Sequence, residues 1–175
     1  MSDFVLVLVS AALVNHLMLH SAPVSRIRVH VLGLCSALSM LVALPVAARL
    51  PQASGLELLV ALPLLAALAG GIPALLAKLR PEWPLSGVQP LLLGNVAVLG
   101  LFLQRANEVS TWGTALAWGL FAGAGFWLAL ALFHDLRQRS DHPDLALALR
   151  GLPIELIAAG VMAMAFSGLN GLFAQ

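Results

Sequence analysis

The sequence predicts an all-α membrane protein of six transmembrane helices, arranged as two inverted three-helix repeats whose first helices are interrupted. The first supporting observation is the composition. Of 175 residues, 61% are apolar and 10% are Asp, Glu, Lys or Arg, whereas an ordinary soluble domain has about 25% charged residues. So few charges cannot cover a water-facing surface of this size. Most of the chain is therefore expected to lie in lipid.

The second observation is the spacing of the charges, which divides the chain into long uncharged windows. A helix needs about 20 residues to cross a hydrocarbon core about 30 Å thick, and each window is at least that long. The windows are 4–25, 29–48, 58–77, 83–104, 109–134 and 156–175. A signal peptide is the alternative for the first window, but Asp3 stands where a positive charge is expected. We therefore predict six spans within one integral-membrane domain, residues 1–175.

The basic residues predict an orientation, because Lys and Arg in short loops are retained on the cytoplasmic side. The connections after the first, third and fifth windows carry seven of them: Arg26, Arg28, Lys78, Arg80, Arg137, Arg139 and Arg150. The opposite side carries only Arg49 and Arg105. Both termini are thus predicted to lie outside the cytoplasm. A net charge of +1 without a basic run excludes a nucleic-acid partner.

The six windows divide into two halves, 1–80 and 85–175. With three spans each, similar halves would insert in opposite orientations, and such inverted repeats place a site at the membrane midplane where helices are interrupted. The first window of each half contains an asparagine in an apolar run, Asn15 in one and Asn95, preceded by Gly94, in the other. We predict a helix break or midplane polar position at these residues. Hydrogen bonding between helices is the alternative interpretation.

Few residues suggest chemistry. His16 and His20 are four positions apart on one helical face and can in principle ligate a metal or haem, but no third ligand of matching depth is evident. Cys35 is the one cysteine, so this chain alone cannot build a four-thiolate cluster. Glu155 lies near the start of the sixth window, where the helix dipole favours a carboxylate; an ion-relay role is the alternative. We assign no catalytic and no metal-binding residue.

Several motifs resemble one family of membrane subunits. The last window holds Arg-Gly-Leu-Pro-Ile at 150–154, Ala-Gly-Val-Met at 159–162 and Gly-Leu-Asn-Gly-Leu at 168–172. Earlier motifs are Leu-Val-Asn at 13–15, Gln-Pro-Leu at 89–91, Asn-Val-Ala-Val-Leu-Gly at 95–100 and Gly-Ala-Gly-Phe at 123–126. Together they resemble the integral-membrane A subunit of the Rnf electron transport complex, a homologue of the E subunit of the sodium-pumping NADH:quinone oxidoreductase.

The resemblance implies a non-catalytic subunit of a translocase in the bacterial inner membrane, with both termini periplasmic. It implies as partners flavin and iron–sulfur subunits together with a homologous six-helix E-type subunit. In that family the first span of each half is a broken helix with a cysteine, and the subunits share an iron–sulfur cluster. Here Val96 stands in place of the second cysteine, and the first has no secure counterpart. We interpret Cys35 as an ordinary apolar residue of the second window. Gly71 stands near the family's buried glutamate.

The missing cysteine leaves three explanations open. The chain can be a scaffold or gating half that lacks a complete ligand set, it can recruit other ligands, or it can be a paralogue with another task. Cys35, His16 and His20 are the weak candidates for replacement ligands. A small non-redox solute or ion transporter on the same inverted repeat is the alternative function.

Overall fold

The computed structural model describes residues 26–50, 57–106, 111–140 and 151–172, and within these ranges it contains helices and no strand. The helices are α1 (Arg26–Ala47), α2 (Glu57–Leu79), α3 (Val88–Leu93), α4 (Val96–Ala106), α5 (Trp112–Ser140) and α6 (Leu152–Leu172). The all-α prediction is thereby confirmed for this part of the chain. The first window, 4–25, lies outside the described residues.

Three of these helices are long and apolar enough to cross a membrane: α1, α2 and α5. The segments Val88–Gln104 and Pro153–Phe166 are apolar but shorter. α1 and α2 coincide with the second and third windows to within a few residues. α5 continues six residues beyond the fifth window. Arg137 and Arg139 lie in its last turn, where the negative end of the helix dipole stabilises positive charges. α6 begins earlier than the sixth window, after Gly151 with a φ of 80°.

α1 and α5 run antiparallel and contact each other over the length of α1. At one end, Arg26 Nη2 lies 2.9 Å from Asp135 Oδ1. At the other end, the guanidinium of Arg49 lies 4.5 Å from the centre of the Trp112 ring. The first contact is an ion pair and the second is a cation–π contact. Both ends of the helix pair are thus joined by side chains.

Between these ends, glycines bring the two backbones close together. A Cβ added at Gly123 would lie 2.8 Å from the Cα of Ala37, and one added at Gly119 would lie 3.0 Å from the Cα of Leu41. A Cβ added at Gly33 would collide with the indole of Trp127. Small residues permit this approach, which gives helices in lipid their van der Waals contact. The Gly-x-x-x-Gly motif of α5 therefore packs within the chain.

The core lies around α1, which packs against α2, α3, α4 and α5. Its largest fully buried side chains include Phe102, Phe126, Phe133, Leu32, Met40 and Leu44. α6 packs against α5. α2 exposes a row of leucines, namely Leu58, Leu59, Leu62, Leu75 and Leu79. In a membrane protein such a surface faces lipid or another subunit.

Charged contacts gather at the end of the bundle where α1 begins. Besides the Arg26–Asp135 pair, Arg28 Nη2 donates a hydrogen bond to the carbonyl oxygen of Ser86 at 3.1 Å. The start of α1, the turn before α3 and the end of α5 therefore lie on the same side of the bundle. These are segments that the count of basic residues assigns to one side of the membrane.

The close approach at Gly123 predicts an asymmetric effect of two alanine substitutions. Gly123→Ala and Gly160→Ala gain the same helix propensity, but a Cβ at Gly160 would meet nothing within 4 Å. We expect Gly123→Ala to be less stable than Gly160→Ala by about 1–3 kcal/mol, because it overpacks the α1–α5 contact. Thermal unfolding of both purified variants in one detergent measures this difference. Equal midpoints would contradict the close contact.

Candidate functional site

The fourth window, anticipated as one interrupted span, contains two helices separated by Gly94 and Asn95. α3 ends at Leu93 and α4 begins at Val96. The N–H of Gly94 donates to the carbonyl of Pro90 at 3.0 Å, and the N–H of Asn95 donates to that of Leu92 at 3.2 Å. The N–H groups that follow α3 therefore bond to carbonyls of α3 itself, and a new helix begins at Val96.

The side chain of Asn95 forms two hydrogen bonds at this break. Its Oδ1 accepts a hydrogen bond from the N–H of Ala97 at 3.1 Å, which is the geometry of a helix N-cap. Its Nδ2 donates to Oγ of Ser36 in α1 at 3.0 Å. Asn95 is 2% exposed and Ser36 is fully buried. Asn95 thus lies at a helix break and also forms an interhelical hydrogen bond, so both interpretations of this residue apply.

Two further residues of α1 lie near the break, Ser39 and Cys35. Ser39 Oγ donates to the carbonyl oxygen of Cys35 in its own helix at 2.8 Å. Cys35 is fully buried within the hydrophobic core and is a free thiol. Among these α1 side chains, it is Ser36 that reaches across to the broken helix.

Val96, the first residue of α4, faces away from the core. Its side chain is 60% exposed, although the next residue, Ala97, is fully buried. A valine side chain has no donor atom for iron. Within the described ranges, no group of three or more His, Cys, Asp or Glu residues lies close enough to hold a metal ion. Val96 itself cannot supply the iron ligand that the resemblance implies at this position. Asn15, His16 and His20 lie outside the described residues.

The structure reveals a buried ion pair that the sequence pattern does not indicate. Arg137 Nη2 lies 2.8 Å from Glu155 Oε1, with side-chain exposures of 23% and 4%. Glu155 lies in the first turn of α6, as its expected role at the helix dipole requires, and it also joins α6 to the end of α5. A carboxylate inside a membrane span usually has a charged partner. This rule predicts a partner for Glu155, although the sequence alone does not identify it as Arg137.

A polar contact on the outer face of the α1–α5 pair complements its glycine contacts. Trp127 Nε1 donates to His30 Nδ1 at 3.2 Å, and the two rings meet edge to face. The indole occupies the space that Gly33 leaves open. This contact is a further side-chain link between α1 and α5.

Comparison with known proteins places these features in a family. Residues 4–173 match the family model described as "Rnf-Nqr subunit, membrane protein". Similar proteins are named as the A subunit of an ion-translocating oxidoreductase complex: one from Psychromonas ingrahamii is 40% identical over 83 residues, one from Histophilus somni 42% and one from Vibrio campbellii 40%. The aligned stretch covers 47% of this chain and 43% of each relative. The matched part is thus less than half of the relatives' length.

The contact between Asn95 and Ser36 predicts unequal effects of two serine substitutions. Ser36→Ala leaves the buried amide donor of Asn95 without its acceptor, which costs about 1–3 kcal/mol of folding stability. Ser39→Ala is the matched control, because the Ser39 hydroxyl bonds only within its own helix, and we expect a smaller loss. Chemical unfolding in mixed micelles compares the two. A loss for Ser39→Ala as large as that for Ser36→Ala would argue against the interhelical bond.

Two ion pairs that α5 forms with described residues, Arg26–Asp135 and Arg137–Glu155, are expected to differ in their contribution to stability. Glu155→Gln leaves Arg137 without its buried counter-charge, and such a change costs up to about 3–5 kcal/mol, here nearer the lower value because Arg137 is 23% exposed. Asp135→Asn breaks the exposed pair with Arg26 and is expected to have little effect. Thermal unfolding of both variants tests the contrast. A more severe effect of Asp135→Asn would contradict it.

Proposed function

The chain belongs to the Rnf-Nqr family of membrane subunits, as its motifs predict, and from that membership we propose that it works as the A-type subunit of an ion-translocating oxidoreductase complex. In this role it is a multi-pass membrane protein that helps couple electron transfer to ion translocation. The family match over residues 4–173 is the observation that carries the proposal. The relatives' shared subunit name supports it.

Within the complex, the proposed role is that of a scaffold or gating half without its own complete iron–sulfur ligand set. The helix break and its cap at Asn95 are present, but Val96 occupies the family's ligand position. The exposed Val96 side chain is accessible for contact with a partner subunit. We propose that a homologous six-helix E-type subunit packs there, together with the flavin and iron–sulfur subunits of the complex.

The six-helix, inverted-repeat design, with repeats at residues 1–80 and 85–175, is proposed from the uncharged windows of the sequence. The interrupted fourth window, in which α3 ends at Leu93 and α4 begins at Val96, supports it, because inverted repeats of this kind often contain broken helices.

The proposed location is the bacterial inner membrane, with both termini on the periplasmic side. The supporting observation is the set of contacts that unites the start of α1, the turn before α3 and the end of α5 at one end of the bundle. The basic residues of these segments would then all face the cytoplasm. Arg49 and Trp112 would mark the periplasmic end.

Purification from native membranes tests the assignment. We expect the chain to co-purify with the other subunits of the complex, including flavin and iron–sulfur proteins, as identified by mass spectrometry and iron analysis. Recovery as a lone, iron-free oligomer would contradict the proposal and favour a non-redox transporter of the same fold. If the complex carries an iron–sulfur signal, Cys35→Ala and His16→Ala should leave its electron paramagnetic resonance spectrum unchanged. A changed spectrum in either variant would identify the substituted residue as a replacement ligand of the cluster.

A further inference from the structure

The last residues of α2 and the turn that joins it to α3, together residues 78–87 and here called the turn, carry two basic side chains at the rim of an apolar surface. Lys78 in the last turn of α2 and Arg80 immediately after it are exposed. Beside them, Leu75 and Leu79 are 59% and 67% exposed. The positive charges therefore adjoin a surface that can contact acyl chains.

Hydrogen bonds and packing hold this turn in place. The N–H of Trp83 donates to the carbonyl of Arg80 at 3.2 Å, and the N–H of Leu85 donates to that of Trp83 at 2.8 Å. The guanidinium of Arg28 donates to the carbonyl of Ser86 at 3.1 Å. Trp83 and Leu85 pack against the hydrophobic core. The basic groups are thus presented by an ordered segment.

Among the described residues, the charge at the turn is positive and is not compensated by ion pairs. Asp135 and Glu155, at the same end of the bundle, are each paired with an arginine of their own. In the part of the chain that the structure describes, neither Lys78 nor Arg80 forms an ion pair with a carboxylate. Glu82, the carboxylate within the turn, is exposed and reduces the positive charge without cancelling it. An anion is the ligand that this arrangement favours.

We propose that the turn docks an anionic phospholipid, with its phosphate at Lys78 and Arg80 and its acyl chains against Leu75 and Leu79. Basic residues at a membrane surface attract anionic headgroups, and a guanidinium matches phosphate geometry. Trp83 adjoins the two basic residues, and tryptophan is favoured at membrane–water interfaces. The adjoining exposed leucines favour a lipid over a soluble acidic partner, because only a lipid satisfies both the charged and the apolar part of the surface.

Lipid binding to the purified full-length chain in neutral detergent tests this proposal. Native mass spectrometry would count the bound molecules during titration with phosphatidylglycerol, phosphatidylcholine or inorganic phosphate. We expect retention of phosphatidylglycerol alone. Replacing Lys78 or Arg80 by glutamine should weaken its binding about fivefold for each charge removed, whereas Glu82→Gln should strengthen it. Arg139→Gln is the matched control, because it removes an exposed charge from the last turn of α5, outside the turn.

Four outcomes would overturn the proposal. Equal binding of phosphatidylcholine would remove the role of charge, and saturation by inorganic phosphate alone would remove the role of the leucines. A loss of binding in Arg139→Gln as large as in Lys78→Gln would show a general surface effect. A soluble acidic protein that binds the turn and excludes phosphatidylglycerol would identify a different partner. Because Glu82→Gln is expected to gain affinity, a folding defect in the other variants does not remove the test.

Discussion

The close antiparallel contact between α1 and α5 is the constraint on which the rest of the structure depends. Lipid tails are as apolar as the helix surfaces, so helices in a membrane associate through van der Waals packing and polar contacts rather than through the hydrophobic effect. Gly119 and Gly123 allow the two backbones to touch at Ala37 and Leu41. An exposed ion pair lies at one end of this contact and a cation–π contact lies at the other. α1 then contacts the other helices from a defined position.

The broken helix takes its position from the same element. Ser36 is the neighbour of Ala37, so the residue that bonds Asn95 lies at the middle of the α1–α5 contact. Asn95 in turn caps α4. A displacement of α1 along α5 would therefore strain the hydrogen bond between Ser36 and Asn95 at the break. This connection gives the proposed gating role a structural basis, because the Ser36–Asn95 hydrogen bond joins the break to the centre of the α1–α5 contact.

Much of the fold could be predicted from the sequence, because a charge in lipid is costly and the few charges mark the helix ends. The interruption at Gly94 and Asn95 was also visible, since a polar residue in an apolar run needs a partner. The register of α1 against α5 was not, because both helices are apolar on all sides and hydropathy does not identify the contacting face. The Arg137–Glu155 pair was missed for a related reason: its partners lie on different helices, and only packing brings them together. Ser36 as the partner of Asn95 was hidden in the same way.

In the proposed assembly, the chain presents its broken helix, with valine at position 96, to a neighbouring protein of the complex, while the close contact of α1 and α5 forms its centre. The most direct test is an electron cryo-microscopy structure of the assembly purified from native membranes. The account predicts Ala37 against Gly123 at the centre of the chain and another protein of the complex in contact with Val96. A chain whose α1 and α5 are separated, or whose Val96 faces only lipid, would contradict it.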